Sequence, residues 1–258
     1  MTREFLEEAR EEIGESRFRS KYLAEFVEDQ KTYFPMALLR SAVHICSTSS
    51  HCTYCDVISG SSTLLGDLYA GYDPGGLSDP AALVVVQRVA WDEGDSVNPS
   101  KKKIVFRVIV SKSFVLPKEE RKNNGDASDV YTRFTVQVSE LHKKLNFKRL
   151  LVDSTGLGSP IVSHCRELIL PAEGIVLSQR TKQEILSNLK ILIEQRRVEF
   201  QENLELLSHL NSVIAETTRT GFYTFDHATG THDDLAYALA LAVWVARNPP
   251  PTIIINKM

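Results

Sequence analysis

The sequence has no excess of positive charge. Its 30 lysines and arginines are outnumbered by 33 acidic residues, which gives a formal net charge of −3 over 258 residues. This balance argues against a broad basic face, although a local basic groove or a contact made through a metal ion is compatible with it.

Long apolar runs are also missing. No run approaches the ~20 residues needed to cross a bilayer. The charged N-terminus lacks the apolar core of a signal peptide. We therefore predict no membrane partner and a cytoplasmic location. A chain of this length can form one good core with a small appendage.

Cysteine is scarce, and three of the four cysteines lie within residues 44–55. These are Cys46, Cys52 and Cys55, accompanied by two histidines. Together they offer enough ligands for one tetrahedral Zn²⁺. The cluster is more compressed than the two separated ligand pairs of a zinc finger. Free thiols in an insertion, or a disulfide, are the alternatives.

Hydrophobic periodicity divides the chain into regions. Residues 2–29 have helical spacing, whereas residues 31–65 are irregular and rich in Ser, Thr and Cys. We predict a helical linker segment with a Cys-containing insertion at 1–65, a main domain at 66–249 and a tail at 250–258.

The main domain begins with β-branched runs. Residues 68–72, 81–91 and 103–111 predict three strands, and glycine-containing turns between them favour antiparallel pairing. Helix, strand, helix, strand and further helices follow, the last at 232–247. This is the order of the ribonuclease-H-like α/β fold, in which a mixed central sheet of three antiparallel strands and then parallel strands is flanked by helices.

Three aspartates stand at the edges of these elements. Asp73 ends the first predicted strand, Asp153 ends the fourth, and Asp234 opens the last helix. In the predicted fold these three places meet at one edge of the sheet. Clustered carboxylates suit two Mg²⁺ or Mn²⁺ ions ~3.5–4 Å apart, which promote phosphodiester hydrolysis. The structural alternative is that the aspartates cap turns and a helix.

The neighbours of Asp234 have more than one interpretation. Asp233 and Asp234 point about 100° apart on a helix, so both cannot face one ion squarely. The small apolar stripe on the face of Asp234 predicts that Asp234 points at the strand ends and Asp233 lies to the side. Asp233 is then a supporting partner or stabilises the helix dipole. His232 is either a neighbour of the helix cap or a proton shuttle.

Five further residues are weaker candidates. Asp79 is either a turn residue or an additional ligand. We interpret Gly156 and Gly158 as a tight turn that lets a DNA backbone approach, because Gly-x-Gly alone is no dinucleotide fingerprint. Arg180 and Lys182 follow a strand next to that of Asp153, where they could meet phosphates.

Three segments resemble the nuclease motifs of large terminase subunits, the DNA-packaging motors of tailed viruses. They are residues 68–86, 150–158 and 231–242, which occur in the order of the family, and each contains one of the three aspartates. Residues 1–30 resemble the segment that joins the ATPase and nuclease domains. Altogether, the resemblance covers most of residues 1–30 and 66–246.

The resemblance implies a metal-dependent endonuclease that cuts concatemeric viral DNA during packaging in the host cytoplasm. It implies Mg²⁺ or Mn²⁺ on Asp73, Asp153 and Asp234, with Asp233 as a candidate fourth ligand. The implied partners are double-stranded DNA, a terminase ATPase domain, the small terminase subunit and the portal. The sequence departs from the family at Tyr237, where many relatives have another Asp, and it contains no Gly-Lys-Ser/Thr P-loop.

The same fold and carboxylates also serve other proteins. A Holliday-junction resolvase is the nearest enzymatic alternative, and it would cut branched DNA far better than linear duplex. A catalytically inactive module that binds a packaging partner is the non-enzymatic alternative. The intact trio of aspartates favours an enzyme, because a binding module does not need clustered carboxylates.

Overall fold

The computed structural model describes most of the chain, namely residues 32–45, 54, 66–75, 80–92, 102–115, 127–156, 159–168, 170–218, 222–228 and 230–247. Several predictions fall outside these residues: the N-terminal helices, the zinc site at Cys46, Cys52 and Cys55, and the roles of Asp79 and Gly158. Within the described ranges, no helix has the length and apolar character required to cross a membrane.

Helices and strands alternate along the described residues. In chain order they are α1 (Met36–Arg40), β1 (Asp67–Asp73), β2 (Ala81–Asp92), β3 (Lys102–Phe114), α2 (Ala127–Leu145), β4 (Arg149–Asp153), α3 (Ser159–Glu167), β5 (Ala172–Ile175), α4 (Gln179–Glu194), β6 (Val198–Glu199), α5 (Leu204–Ser212), β7 (Val213–Thr217), β8 (Tyr223–His227) and α6 (Asp234–Arg247). Six strands form the main sheet in the order β5-β4-β1-β2-β3-β6, and β7 and β8 form a separate hairpin.

Strand β1 lies inside the main sheet. It pairs antiparallel with β2 and parallel with β4. The β2–β3 pair is antiparallel, whereas β4–β5 and β3–β6 are parallel. The predicted mixed sheet, with three antiparallel strands followed by parallel strands and flanked by helices, is confirmed.

The sheet separates two apolar cores. Successive side chains of a strand point to opposite faces. Tyr69 and Val84 therefore join the core formed with α1, α4, α5 and α6. Ala70, Tyr72 and Leu83 join the core formed with α2 and α3. Because both faces are covered, the central strands read as nearly continuous apolar runs in the sequence.

Helix α6 lies directly on β1, and Gly71 makes this approach feasible. A Cβ atom added at Gly71 would lie 2.1 Å from the carbonyl oxygen of Ala238 and 2.5 Å from the amide nitrogen of Ala242. Only glycine allows the helix backbone to come this close to a strand. The approach holds the start of α6, with Asp234, beside the carboxyl end of β1.

Residues before β1 also belong to the core. Phe34 and Leu39 are fully buried, and the amide of Tyr33 donates a hydrogen bond to the carbonyl of Val213 at 2.8 Å. Helix α1 lies within residues 31–65, which the sequence pattern predicts to be irregular. Five residues are too few to show helical periodicity, so the pattern could not reveal it.

Candidate active site

Strands β1 and β4 end side by side. Tyr72 is aligned with Val152 across the parallel pair, so Asp73 and Asp153 follow at the carboxyl ends of neighbouring strands. The residues before each aspartate are buried, whereas both aspartates are partly exposed. The strand pairing thus places the first two predicted aspartates together at one edge of the sheet.

Local hydrogen bonds orient both carboxylates. Oδ1 of Asp73 accepts a hydrogen bond from the amide of Gly75 at 3.1 Å. Oδ1 of Asp153 accepts two, from the amide of Thr155 at 2.8 Å and from its hydroxyl at 2.6 Å. The Thr155 hydroxyl in turn accepts from the amide of Leu177 at 2.8 Å, which ties this turn to the segment after β5.

A cavity of about 290 Å³ lies at this edge of the sheet. Its wall combines side chains from five elements and the segment after β5: Asp73, Asp153, Leu177, Lys182, Phe225, Asp226, His227, Asp233 and Tyr237. Four of these nine residues are aspartates. The cavity therefore concentrates carboxylates from β1, β4, β8 and the start of α6.

The cavity disfavours negative charge on Asp73. Burial, and then the carboxylate of Asp153, raise the pKa of Asp73 to about 8, with smaller contributions from Asp234 and Asp233. The hydrogen bond from Gly75 only partly offsets them. Burial also raises the pKa of Asp233, and His227 and Lys182 oppose that rise. A cation at the carboxylates would therefore displace a proton from the cluster.

The carboxylates suit hard divalent cations. Mg²⁺ is usually held by one or two carboxylates, with water and substrate oxygens at its remaining positions. Asp73 and Asp153 at the strand ends, with Asp233 across the cavity, provide such donors. In the described part of the chain, no group of three or more His, Cys, Asp or Glu side chains is arranged to hold one ion.

The two aspartates at the start of α6 have different surroundings. Asp233 lines the cavity. Asp234 is only 8% exposed, and its Oδ2 lies 3.7 Å from Nδ1 of His232. The sequence predicts that Asp234 points at the strand ends and that Asp233 lies to the side. Both charges act on Asp73, and Asp233 is the one at the cavity wall.

His209 on α5 supports this turn, and the sequence analysis did not include it. Its Nδ1 accepts a hydrogen bond from the amide of Leu235 at 3.2 Å. Burial lowers the pKa of His209 to about 4, so the ring stays neutral and Nδ1 can accept. An aspartate at a helix start ordinarily accepts this type of bond. Because His209 accepts it, the carboxylate of Asp233 can face the cavity.

The predicted DNA-binding residues lie in different places. Lys182 lines the cavity, with Nζ 4.9 Å from the centre of the Tyr237 ring. Arg180 is exposed and pairs with Glu184 at 2.9 Å. Gly156 has a positive φ of 77°, and nothing lies within 4 Å of a Cβ added there. The turn after β4 is therefore open to its surroundings.

Asp226 and His227 are further cavity residues, and they are not among the candidates predicted from the sequence. They end strand β8. Nδ1 of His227 lies 3.7 Å from Oδ1 of Asp233. Their adjacency as an acidic and histidine pair was the only signal for them in the sequence.

Several solved structures of phage large terminases and their nuclease domains have a similar fold. The large terminase nuclease of thermophilic phage G20c is 15% identical, with a TM-score of 0.56 over 83% of this chain and 98% of that one. It has also been solved with bound magnesium and with bound cobalt. No family model and no curated protein sequence matches this chain.

Two other phage proteins have the same fold. The HK97 large terminase is 13% identical, with a TM-score of 0.55 over 94% of this chain and 50% of that one. The nuclease domain of the Sf6 large terminase subunit is 10% identical, with a TM-score of 0.54 over 84% and 98% of the two chains. The predicted resemblance to terminase nucleases is therefore confirmed at the level of the fold.

Proposed function

We propose that this protein is a metal-dependent DNA endonuclease that cleaves concatemeric viral DNA during genome packaging, by two-metal phosphodiester hydrolysis. The observation that carries the proposal is the carboxylate-lined cavity where β1, β4 and α6 meet. Asp73, Asp153 and Asp233 face it, and Asp234 lies buried beside them. The likeness to terminase nuclease folds supports this choice among the enzymes that place carboxylates at such an edge.

Asp73, Asp153, Asp234 and Asp233 are the residues that would hold Mg²⁺ or Mn²⁺. When bound, the pair of ions supplies a nucleophilic water and neutralises charge on the leaving oxygen. Asp73 would give up a proton to hold an ion, because burial and the neighbouring carboxylates raise its pKa to about 8. The hydrogen bonds from Gly75 and Thr155 keep the two strand-end carboxylates oriented meanwhile.

Other groups of the chain set the surroundings of the reaction. Lys182 provides positive charge at the cavity wall, where a phosphate would enter. The contact at Gly71 and the hydrogen bond to His209 hold the start of α6 against the strand ends. These contacts keep the carboxylates together in spite of their mutual repulsion.

The proposal includes the setting in which such a nuclease acts. Double-stranded DNA is its substrate. A terminase ATPase domain, the small terminase subunit and the portal are its partners, in the cytoplasm of the host cell. The ATPase domain supplies ATP hydrolysis, for which this sequence contains no Gly-Lys-Ser/Thr motif.

Cleavage of supercoiled plasmid tests the proposal, with Mg²⁺, with Mn²⁺ and with chelator. We expect nicking and linearisation that require the metal and fall on the order of a thousandfold in Asp73→Asn, because a ligand at the ions contributes several kcal/mol to the barrier. Asp67→Asn is the matched control. Asp67 begins the same strand and pairs with Lys148 instead of facing the cavity.

Three other results would change the proposal. If wild type leaves plasmid intact with every metal and cuts a four-way junction, the protein is a structure-specific resolvase. If it cuts neither substrate, the inactive packaging module is the better account. Equal activity in wild type and Asp73→Asn would remove the carboxylate cluster from the mechanism.

A further inference from the structure

Tyr237 is a buried polar residue without a hydrogen-bond partner. Its side chain is 5% exposed and lines the cavity. Among the described residues, no group forms a hydrogen bond with its hydroxyl. Buried hydroxyl groups are nearly always hydrogen-bonded, so an exception needs an explanation. At a cavity wall, such a hydroxyl can donate to water in the cavity and to a group that arrives with a ligand.

The charges around Tyr237 indicate what kind of group this is. The carboxylates of Asp233, Asp73, Asp153 and Asp226 all act on its phenol. A phenol is a hydrogen-bond donor at neutral pH. Carboxylates are good acceptors, and yet none of the four accepts a hydrogen bond from this hydroxyl. The hydroxyl therefore has the capacity to donate to an acceptor that enters the cavity.

Lys182 adds a second donor at the same wall. Its Nζ lies 4.9 Å from the centre of the Tyr237 ring, at a distance that allows a favourable cation–π interaction. The two side chains come from α4 and α6 and meet across the cavity wall. A neutral donor beside a cationic one suits a phosphate oxygen, which accepts both kinds of hydrogen bond.

We propose that Tyr237 and Lys182 form a substrate-binding pair, in which the Tyr237 hydroxyl donates a hydrogen bond to a phosphate oxygen of a DNA strand in the cavity. The inference rests on the proposed function, because it takes the substrate to be a phosphodiester. In this inference, Tyr237 and Lys182 have a role opposite to that of the aspartates. The carboxylates attract cations, and this pair attracts the anion.

Three variants of the full chain test the pair. Tyr237→Phe removes the hydroxyl and keeps the ring beneath Lys182. Lys182→Gln removes the charge. Tyr54→Phe is the matched control, because the Tyr54 hydroxyl donates at 2.6 Å to the carbonyl of Val108 on β3 and its side chain is not among those that line the cavity.

Binding of DNA is measured separately from cleavage. Fluorescence anisotropy gives the Kd for a short labelled duplex in Ca²⁺, under conditions where no product forms. We expect Tyr237→Phe to bind the duplex roughly 10-fold to 100-fold more weakly, the usual loss for a hydrogen bond to a charged group. Lys182→Gln weakens binding too. The double variant loses less than the product of the single losses, because both donors serve one phosphate.

Binding of Mn²⁺ without DNA, followed by electron paramagnetic resonance, provides the second measurement. Tyr237→Phe should bind Mn²⁺ as wild type does, because the hydroxyl serves the phosphate and not the ions. The inference is overturned if wild type does not bind the duplex, or if Tyr237→Phe binds it as tightly as Tyr54→Phe. A parallel loss of Mn²⁺ binding also overturns it.

These results separate the inference from the proposed function. If wild type cleaves plasmid and Tyr237→Phe behaves like wild type in both assays, the nuclease stands and the pair is rejected. If wild type cuts no DNA, and Tyr237→Phe binds the duplex more weakly than wild type, the pair stands and the nuclease is rejected.

Discussion

The two ends of β4 carry charged side chains in opposite arrangements. At its start, Arg149 forms a two-pronged ion pair with Glu173 on β5, with both hydrogen bonds at 2.5 Å. At its end, Asp153 meets Asp73 in a cavity lined by four aspartates. The hydrogen bond from Arg149 lowers the pKa of Glu173, whereas burial and Asp153 raise the pKa of Asp73 to about 8.

The difference separates a structural ion pair from a binding site. A carboxylate with a cationic partner already has its charge compensated, so it stabilises the fold without a ligand. Carboxylates that face one another stabilise the fold only when protonated or when a cation joins them. Clusters of the second kind cost stability, and for that reason they mark functional sites.

Replacing one carboxylate by its amide at each end should separate the effects most clearly. Asp153→Asn should lower plasmid cleavage on the order of a thousandfold, because a ligand is lost. Without metal it should raise the melting temperature slightly, because the repulsion of Asp73 is removed. Glu173→Gln should leave cleavage unchanged and cost about 0.5 kcal/mol of unfolding free energy, since that carboxylate is nearly half exposed. A loss of stability in Asp153→Asn would mean that the cluster is structural.

The stability of the metal-free protein should fall as the pH rises. The folded-state pKa of Asp73 is about 8 and lies above the usual value for an aspartate, so the folded state binds more protons between the two values. Its contribution is therefore complete at low pH and is lost as the pH rises towards 8. We expect urea unfolding to show a decrease of roughly 2 kcal/mol from pH 6.5 to pH 8.

Two comparisons, with Asp73→Asn and with saturating Mg²⁺, test whether Asp73 causes this pH dependence. Burial lowers the folded-state pKa of His209 from the usual value of roughly 6.5 to about 4, so its contribution changes mainly between those two values, at and below the lower edge of this pH window. Asp73→Asn should remove most of the slope, and saturating Mg²⁺ should remove it in wild type, because the ions replace the proton. A wild-type slope that survives in Asp73→Asn would assign the titration to another group.

Substitution of His209 tests whether its hydrogen bond with the amide of Leu235 keeps the carboxylate of Asp233 in the cavity. In His209→Leu the amide of Leu235 loses its acceptor, and we expect Asp233 to cap the helix with its own carboxylate. Unfolding free energy should fall by about 1 kcal/mol, and cleavage by roughly 10-fold as one carboxylate leaves the cavity. His209→Asn keeps an acceptor near the position of Nδ1 and should recover most of the cleavage. If leucine and asparagine have equal effects, the hydrogen bond does not position Asp233.

The sequence predicted the elements whose patterns are long enough to read. The β-branched runs of β2 and β3 and the periodic helices α4 and α6 show their periods over many residues. Strand β6 has two residues and was not predicted, since alternation cannot appear over so short a span. Helix α1, with five residues, was missed for the same reason.

The cavity was predictable only in part, because its residues depend on tertiary contacts to different degrees. Asp73 and Asp153 end apolar strands, and neighbouring parallel strands end at the same edge, so their proximity follows from the order of elements. At the start of α6, the amide of Leu235 donates to His209, a residue on another helix, instead of to a local aspartate. No local pattern contains that information.

No effect on cleavage is expected at a second balanced cluster, at the β3–β6 edge. Nε of Arg107 donates to Oε2 of Glu199 at 3.0 Å, and Nδ1 of His44 lies 3.9 Å from the same oxygen. Glu199→Gln keeps an acceptor for Arg107 but removes the charge that faces its nearly buried guanidinium, so we expect chemical denaturation to show a loss of about 1–2 kcal/mol. Plasmid cleavage should stay at the wild-type rate. A large loss of cleavage would show that charge balance alone does not distinguish structural clusters from the catalytic one.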